Sequence, residues 1–265
     1  MAKVQETSEG FCVYRDIFNG FIIDVSKQEF SAEDEFDKKL SEAVPKWKAD
    51  GIRGLWAKIP LTHSSLIPVF AKNGFDFHHA QPGYAMLCQW LPQTEKNNLP
   101  EYASHYVGVA GLVIDNEGRL LVVRERFSRD KHHPWKLPGG HTEKGEDLAD
   151  TSVREVLEET GIECEFRSLV CFRHLHNFRF GCSDFYFICH LSPLGGQIKH
   201  CEQEISECRW LDVDEFLSDP TVAENNKYFV RCYRDGLQEH PTLSITPVTT
   251  YVKKIHRIIY SIKKT

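Results

Sequence analysis

Three glutamates in the middle of the chain have the side chain and the spacing to hold a divalent cation. Glu155, Glu158 and Glu159 stand at i, i+3 and i+4. Residues at these separations project from one face of an α-helix, so we expect their carboxylates to lie close together. Such charges repel unless a cation lies among them. Carboxylate oxygens are hard ligands that favour Mg²⁺ or Mn²⁺ over zinc, especially beside a substrate phosphate.

The periodicity of the surrounding residues predicts that a helix from about Asp147 to Thr160 carries these acids, and that Gly161 ends it. A loop with a Gly pair behind Pro138 precedes the helix, and glycines there suit a backbone that must approach a ligand closely. The apolar stripe of the helix is expected to comprise Ala149, Val153, Val156 and Thr160, with Leu157 beside them.

The ordinary interpretation of three glutamates on a helix is a solvated acidic face. The spacing of the whole stretch argues otherwise. Gly140, Glu146 and the run REVLEETGI from Arg154 to Ile162 fill every fixed position of G-x5-E-x7-R-E-U-x-E-E-x-G-U, where U is aliphatic. The stretch 140–162 therefore resembles the complete signature of the Nudix hydrolases.

This resemblance implies a fold and an activity. The fold is of the α/β (α+β) class: a Nudix α/β/α sandwich with a mixed sheet. The activity is metal-dependent hydrolysis of the pyrophosphate bond in a nucleoside diphosphate linked to another moiety, with Mg²⁺ or Mn²⁺ as cofactor. Clustered carboxylates that hold the metal would neutralise the phosphates and lower the pKa of an attacking water.

The resemblance also assigns roles to residues. Arg154 is expected to orient Glu158, and Glu146 to brace the loop. The general base is either Glu155 or an acid on a distal loop. The catalytic candidates are Glu155, Glu158 and Arg154; the metal-binding candidates are Glu155, Glu158, Glu159 and the Gly140 carbonyl; the distal candidates are Glu202 and Glu204.

The substrate is less determined than the reaction. Trp135, Arg124 and Phe178 are candidates for contacting it, although packing under the loop or plain exposure explains such residues equally well. ADP-ribose or NADH are the preferred substrates. The NADH-specific branch carries S-Q-P-W-P-F-P-x-S after its signature, whereas this chain has HLHNFRFGCSDF, which weakens that analogy. A nucleotide-sensing or regulatory protein with weak or no turnover is the alternative, and decapping of RNA is a weaker one.

The chain is long enough for two domains. The polar segment 92–104 contains two prolines and no periodicity, so we place a linker there, between a small α/β domain at 1–95 and the Nudix domain at 105–265. Three stretches, GIRGLWAKIP, NGFDFHHA and YASHYVGVAG, resemble a narrower subfamily. It contains the vertebrate nucleoside diphosphate-linked moiety X motif 6 protein, also called fibroblast growth factor antisense protein, and plant ADP-ribose and NADH pyrophosphatases. This resemblance implies a homodimer.

Several local elements are also predicted. Asn19-Gly20 favours a hairpin within residues 11–26. Ser31 to Asp34 resembles a capping box before a helix near 32–49 that buries Phe36, Leu40, Val44 and Trp47. Strands are expected near 53–60, 75–79, 84–91, 105–115, 119–124, 165–175 and 182–191, and a final helix pair at about 222–238 and 247–262.

Composition excludes several classes of function. The 32 basic and 38 acidic residues, without a basic block, make nucleic acid an unlikely partner. The nine cysteines are scattered and lack a C-x-x-C pair, which favours reduced thiols. No apolar run approaches a membrane span, so no membrane is expected, and the first ten residues resemble no targeting signal. We expect a cytoplasmic protein, and entry to the nucleus stays open.

Overall fold

The computed structural model describes residues 4–127, 131–239, 243–249 and 256–262. The chain divides into two compact units, residues 1–103 and residues 104–265. No helix in the described ranges has both the length and the apolar character needed to cross a bilayer.

The N-terminal unit is a six-stranded sheet with two helices. Its strands are β1 (Val4–Ser8), β2 (Phe11–Arg15), β3 (Phe21–Asp24), β4 (Gly54–Pro60), β5 (Asp76–Gln81) and β6 (Tyr84–Trp90); its helices are α1 (Glu33–Ala49) and α2 (Ile67–Lys72). The strand order is β1-β2-β3-β4-β6-β5, and only β3 and β4 pair in parallel. The predicted hairpin joins β2 to β3 with Asn19 at a φ of 62°, while β1 was not predicted.

Helix α1 differs from the prediction at its start. The residue before it is Ala32, which makes no side-chain capping bond, so the predicted capping box is absent. The backbone N–H of Ser31 donates instead to Glu35 at 2.9 Å, because Glu35 rather than Asp34 reaches back across the first turn. The buried face contains Phe36, Leu40, Ala43 and Trp47, and Val44 is only partly buried.

The described residues of the C-terminal unit form seven strands and three helices. The strands are β7 (His105–Val113), β8 (Arg119–Glu125), β9 (Glu163–Leu175), β10 (Ser183–Gly195), β11 (Ile205–Asp212), β12 (Leu243–Thr249) and β13 (His256–Ile262); the helices are α3 (Leu148–Thr160), α4 (Val213–Ser218) and α5 (Glu224–Glu239). A five-stranded sheet has the order β13-β12-β9-β10-β7, and β11 pairs with β8 in a separate two-stranded sheet.

Helices cover both faces of the larger sheet, which is mixed because β10 pairs in parallel with β7 and antiparallel with β9. Neighbouring residues of β10 point to opposite faces. Ile188 joins a core cluster with Phe229 of α5, and Cys189 joins a second cluster with Val156 of α3. The predicted α/β/α sandwich with a mixed sheet is therefore confirmed.

The predicted final helix at 247–262 is wrong. Residues 243–249 and 256–262 form the antiparallel strands β12 and β13, in which Leu243 is opposite Ile262; the intervening part of the prediction lies outside the described residues. The segment is rich in β-branched and aromatic residues, which favour a strand over a helix. The first helix of the predicted pair is confirmed as α5.

Candidate active site

The glycine loop before α3 is pinned along strand β7. The N–H of Val109 donates to the Gly140 carbonyl at 2.9 Å, and the N–H of Thr142 donates to Val107 at 3.0 Å. Gly139 has a φ of 153°, and a Cβ there would lie 2.2 Å from the Val109 carbonyl oxygen. Only glycine fits such a close approach of two backbones. The loop therefore has a fixed position relative to the sheet.

The predicted acidic helix is confirmed as α3, which runs from Leu148 to Thr160. Gly161 ends it in the left-handed conformation with a φ of 75°. A Cβ added to Gly111 of β7 would lie 2.3 Å from Val156, so the helix and the strand are in close contact. Leu157 departs from the predicted apolar stripe: it is 45% exposed, because its position faces away from the sheet that buries Val156.

Arg154 is the centre of an ionic network. Its Nε and Nη2 donate to the two carboxylate oxygens of Glu146 at 2.8 and 2.9 Å, and its Nη1 lies 3.0 Å from both Glu155 and Glu158. Nη2 also donates to the His141 carbonyl at 3.2 Å. The Arg154 guanidinium lowers the pKa of Glu146 to about 2. The contacts are those expected of a residue that positions acids and braces the loop; the effect on catalysis stays a prediction.

The three signature glutamates lie in different environments. Glu159 is only 6% exposed and accepts a hydrogen bond from the Gly139 N–H at 2.9 Å. Its burial raises its pKa to about 7, although Lys136 opposes the shift. Burial also raises the pKa of Glu155, against the effect of Arg154. The side chain of Glu158, in contrast, is 60% exposed. Two carboxyls thus point inward and one remains at the surface.

A cavity of about 530 Å³ opens beside the loop and α3. It combines acids with cations and rings, a mixture suited to a ligand that carries phosphates and a base. The acids are Glu125, Glu155, Glu159, Asp184 and Glu204; the cations are Lys136, Arg173 and Arg179; the rings include Phe127, His141, Phe178 and Tyr186. Three rings come together at this site, since Tyr106 lies 6.0 Å from His141 and 5.9 Å from Phe178, centroid to centroid.

The cavity brings together only some of the residues predicted from the sequence. Glu155, Glu159, Gly140, Glu204 and Phe178 line it. Glu158, Arg154, Glu202, Trp135 and Arg124 do not belong to its lining. Of the two distal acids, the structure therefore brings Glu204 to the site and leaves Glu202 on the surface.

Trp135 and Arg124 pack against each other outside the lining of the cavity, and a contact of either with substrate stays a prediction. Trp135 is 1% exposed. The guanidinium carbons of Arg124 and Arg209 lie 3.9 and 4.6 Å from the centre of its ring, and Arg124 also pairs with Glu207 at 2.8 Å. The Arg124 guanidinium therefore packs on the Trp135 ring, which lies inside the core.

The donor set of the cavity suits a hard cation. Glu155, Glu159 and Glu204 offer carboxylate oxygens, and the Gly140 carbonyl, which accepts one hydrogen bond, keeps a second lone pair. Each of Glu155 and Glu204 raises the pKa of Glu159, so the acids repel in the absence of a cation. In the described ranges no three His, Cys, Asp or Glu side chains already converge as a metal-binding group. Glu155, Glu159, Glu204 and Gly140 are the residues that could hold a metal.

Arg173, Asp184 and Tyr186 of the cavity were missed by the sequence analysis. They lie on β9 and β10, and only the cross-strand register brings them to the loop. No local spacing carries that information. His141, by contrast, directly follows the Gly pair and could have been proposed from its position alone.

Comparison with known proteins finds Nudix matches along most of the chain. The family described as the NUDIX domain matches residues 104–232, and one described as a Nudix hydrolase domain matches residues 11–91. Nudix hydrolase 8 of Arabidopsis thaliana is 36% identical over 255 residues, which is 94% of this chain and 69% of the relative. Nucleoside diphosphate-linked moiety X motif 6 of Mus musculus is 41% identical over 207 residues, which is 77% of this chain and 65% of the relative.

Among solved structures, the MutT protein from Methanosarcina mazei is 20% identical with a TM-score of 0.45, over 53% of this chain and 100% of that one. A sandwich that presents a pinned glycine loop and an acidic helix to a cavity lined by both acids and cations defines a hydrolase of the Nudix type. The chain belongs to the Nudix hydrolase family, and within it to the subfamily of the vertebrate motif 6 proteins and the Arabidopsis Nudix hydrolases. Its activity is that of a pyrophosphohydrolase on nucleoside diphosphate-linked substrates.

Proposed function

We propose that this chain hydrolyses ADP-ribose or NADH at the pyrophosphate bond in a reaction that requires Mg²⁺ or Mn²⁺. The observation that carries the proposal is the joint presence of two inward-pointing carboxyls, Glu155 and Glu159, and three cationic side chains in one cavity. Acids alone would repel a pyrophosphate, and cations alone would not hold a metal. Both together suit a metal-bound diphosphate.

The chain's own residues supply binding and proton transfer. Glu155, Glu159 and the Gly140 carbonyl would hold the cation, which when bound polarises the phosphate and lowers the pKa of a water. Glu155 and Glu204 are the candidates for general base, since both line the cavity and Glu202 does not. Arg154 keeps Glu155 in place through the 3.0 Å contact and is itself held by Glu146. Arg154 therefore acts on the acid rather than on the substrate.

The preference for a substrate with an aromatic base is supported by the rings at the cavity. His141 and Phe178 lie 6.3 Å apart with their planes tilted by 30°, and Arg179 lies 5.1 Å from the Phe178 centroid. A partly exposed ring such as Phe178 beside a guanidinium is a stacking surface for a base near a phosphate. ADP-ribose and NADH both carry an adenine joined to a diphosphate.

The test is a panel of substrates, each incubated with the protein and Mg²⁺ or Mn²⁺: ADP-ribose, NADH, diadenosine polyphosphates, coenzyme A and capped RNA. We expect cleavage of ADP-ribose or NADH, and we expect EDTA to abolish it. Glu159→Gln purified in parallel controls for contaminating enzymes, because it should lose the activity. Cleavage that survives EDTA, or cleavage of capped RNA alone, would contradict the proposal.

A nucleotide sensor is the second candidate function. It is favoured by the placement of Glu158, which is paired with Arg154 at the surface rather than directed into the cavity. This placement leaves fewer metal ligands at the site than the Nudix signature supplies. Tight binding of ADP-ribose by calorimetry, with no product after prolonged incubation with either metal, would favour the sensor over the enzyme.

A further inference from the structure

One ion pair in the cavity lies away from the signature helix. Arg173 of β9 donates from Nη2 to Oδ2 of Asp184 on β10 at 3.0 Å. Asp184 is 2% exposed, whereas the Arg173 side chain is 32% exposed. The carboxylate is therefore buried in the sheet, and the positive end of the pair is at the cavity, which both residues line.

Arg173 retains donors that the protein does not use. A guanidinium has five N–H groups in a planar fork, and Asp184 accepts from Nη2. Within the described part of the chain, Nε of Arg173 is buried and has no hydrogen-bond partner. Tyr186 limits its movement, since the guanidinium carbon lies 5.3 Å from the centre of that ring. The group is thus held in one place with hydrogen-bonding capacity to spare.

The other two cations of the cavity are placed differently. Lys136 pairs with Glu125 at 2.5 Å, which already satisfies its charge. Arg179 is exposed and rests against the Phe178 ring. Arg173 is the cation whose only carboxylate partner in the described residues is buried, so it is the one fixed in position and open toward the cavity.

We propose that Arg173, positioned by Asp184, binds a non-bridging phosphate oxygen of the substrate's diphosphate. The proposal rests on the proposed function, because it assigns a diphosphate to this cavity. Arg173 is the substrate-binding residue, and Asp184 is a positioning residue that fixes the direction of the guanidinium. A planar fork suits a phosphate better than an ammonium group does.

The first test compares Arg173→Gln and Arg173→Lys with the matched control Arg167→Gln. Arg167 lies on the same strand, pairs with Glu165 and Ser192, and does not line the cavity. With ADP-ribose and Mg²⁺ we expect Arg173→Gln to raise KM by about tenfold or more, Arg173→Lys to raise it less, and Arg167→Gln to leave it unchanged. Equal KM values for wild type and Arg173→Gln would overturn the proposal.

The second test addresses the positioning role. Asp184→Asn should raise KM with little change in kcat. Adding Arg173→Gln to this variant should raise KM little further, since both changes act through one contact. A merely structural pair would lower the unfolding temperature and the amount of active protein without changing KM. Additive effects on KM in the double variant would contradict the positioning role. Arg173→Gln keeps the substrate-binding role testable if Asp184→Asn does not fold.

Failure of the two proposals can be told apart by binding. ADP-ribose is titrated by calorimetry into wild type, Arg173→Gln and Arg167→Gln in EDTA, where no turnover occurs. Weaker binding by Arg173→Gln alone, by about tenfold, supports the phosphate contact even if the wild type cleaves nothing. Equal binding by all three proteins overturns it even if the wild type is an active hydrolase.

Discussion

In the N-terminal unit, Trp47 lies edge-on against Phe11 at 5.5 Å and against Phe21 at 5.6 Å, inside a core of apolar side chains. The C-terminal unit buries a different set. All the buried polar and charged residues that the described ranges contain lie there: Thr151, Ser152, Glu159, Thr160, Ser168, Asp184 and Lys227.

Burying polar and charged groups costs free energy unless they are paired, so their presence needs a reason. Glu159 and Asp184 lie at the cavity, and each has a hydrogen-bond partner that holds it there. The described interior of the N-terminal unit buries no polar or charged side chain. The two buried acids at the cavity therefore indicate that the hydrolytic chemistry lies in the C-terminal unit.

The largest expected effect in a test of this contrast is on the stability of the N-terminal core. Trp47→Ala removes a fully buried ring and the hydrogen bond from its Nε1 to Ser8, and should cost about 3–5 kcal/mol of unfolding free energy. Hydrogen exchange followed by mass spectrometry should show lost protection in α1. Because Trp47 belongs to a core cluster confined to the N-terminal unit, protection in α3 should be retained. An equal loss of protection in α1 and α3 would contradict the contrast between the two units. Trp47→Phe provides the milder control.

A smaller change tests the crowding at the cavity. In Gly140→Ala the new Cβ would lie 2.6 Å from both carboxylate oxygens of Glu155, which Arg154 holds in place. The displaced acid should lower kcat/KM by roughly 10- to 100-fold while the melting temperature changes little.

Gly195→Ala is the matched control for that change. A Cβ at Gly195 meets nothing within 4 Å, so kcat/KM and stability should both be unchanged. An active Gly140→Ala variant would show that the position of Glu155 does not matter.

The smallest effect concerns His190, a partly buried base on β10. Burial lowers the pKa of His190 from 6.5 to about 4, and the Tyr233 hydroxyl lies 3.2 Å from its Nε2. Between these values the unfolded chain binds a proton that the folded chain does not. The contribution of His190 to the unfolding free energy is therefore fully present above about pH 6.5. It is lost as the pH falls toward about 4, and the loss amounts to about 1–3 kcal/mol.

His190→Phe should remove this part of the pH dependence. Urea unfolding at about pH 7.5 and about pH 5 measures it: the loss of stability between the two should be smaller in the variant than in the wild type. An equal loss in both proteins would assign the pH dependence to other groups.

The sequence predicted what local spacing determines. The acidic helix, its end at Gly161 and the Asn19-Gly20 hairpin were correct, because each depends on residues within one or two turns of chain. The family followed from the same stretch. Glu146 was predicted to brace the loop, but its pairing with Arg154 was not predicted, because the sequence does not show the path of the chain between the two residues.

The sequence could not predict contacts between distant segments. Spacing placed Glu158 on the same helical face as Glu155, but it does not show which part of that face meets the cavity. The sequence left open whether Trp135 contacts substrate or packs under the loop, because its neighbours Arg124 and Arg209 come from the paired strands β8 and β11. The β12–β13 hairpin was taken for a helix because apolar residues alone do not separate the two periods in a short segment.

The central claim is that the inward-pointing acids of α3 carry out the hydrolysis. The most direct measurement is the turnover of ADP-ribose with Mg²⁺ by wild type, Glu155→Gln and the control Glu163→Gln, an exposed acid just beyond the helix. Glu155→Gln should lose about 1000-fold or more in kcat with its melting temperature retained, and Glu163→Gln should match the wild type. A Glu155→Gln variant that turns over at the wild-type rate would contradict it.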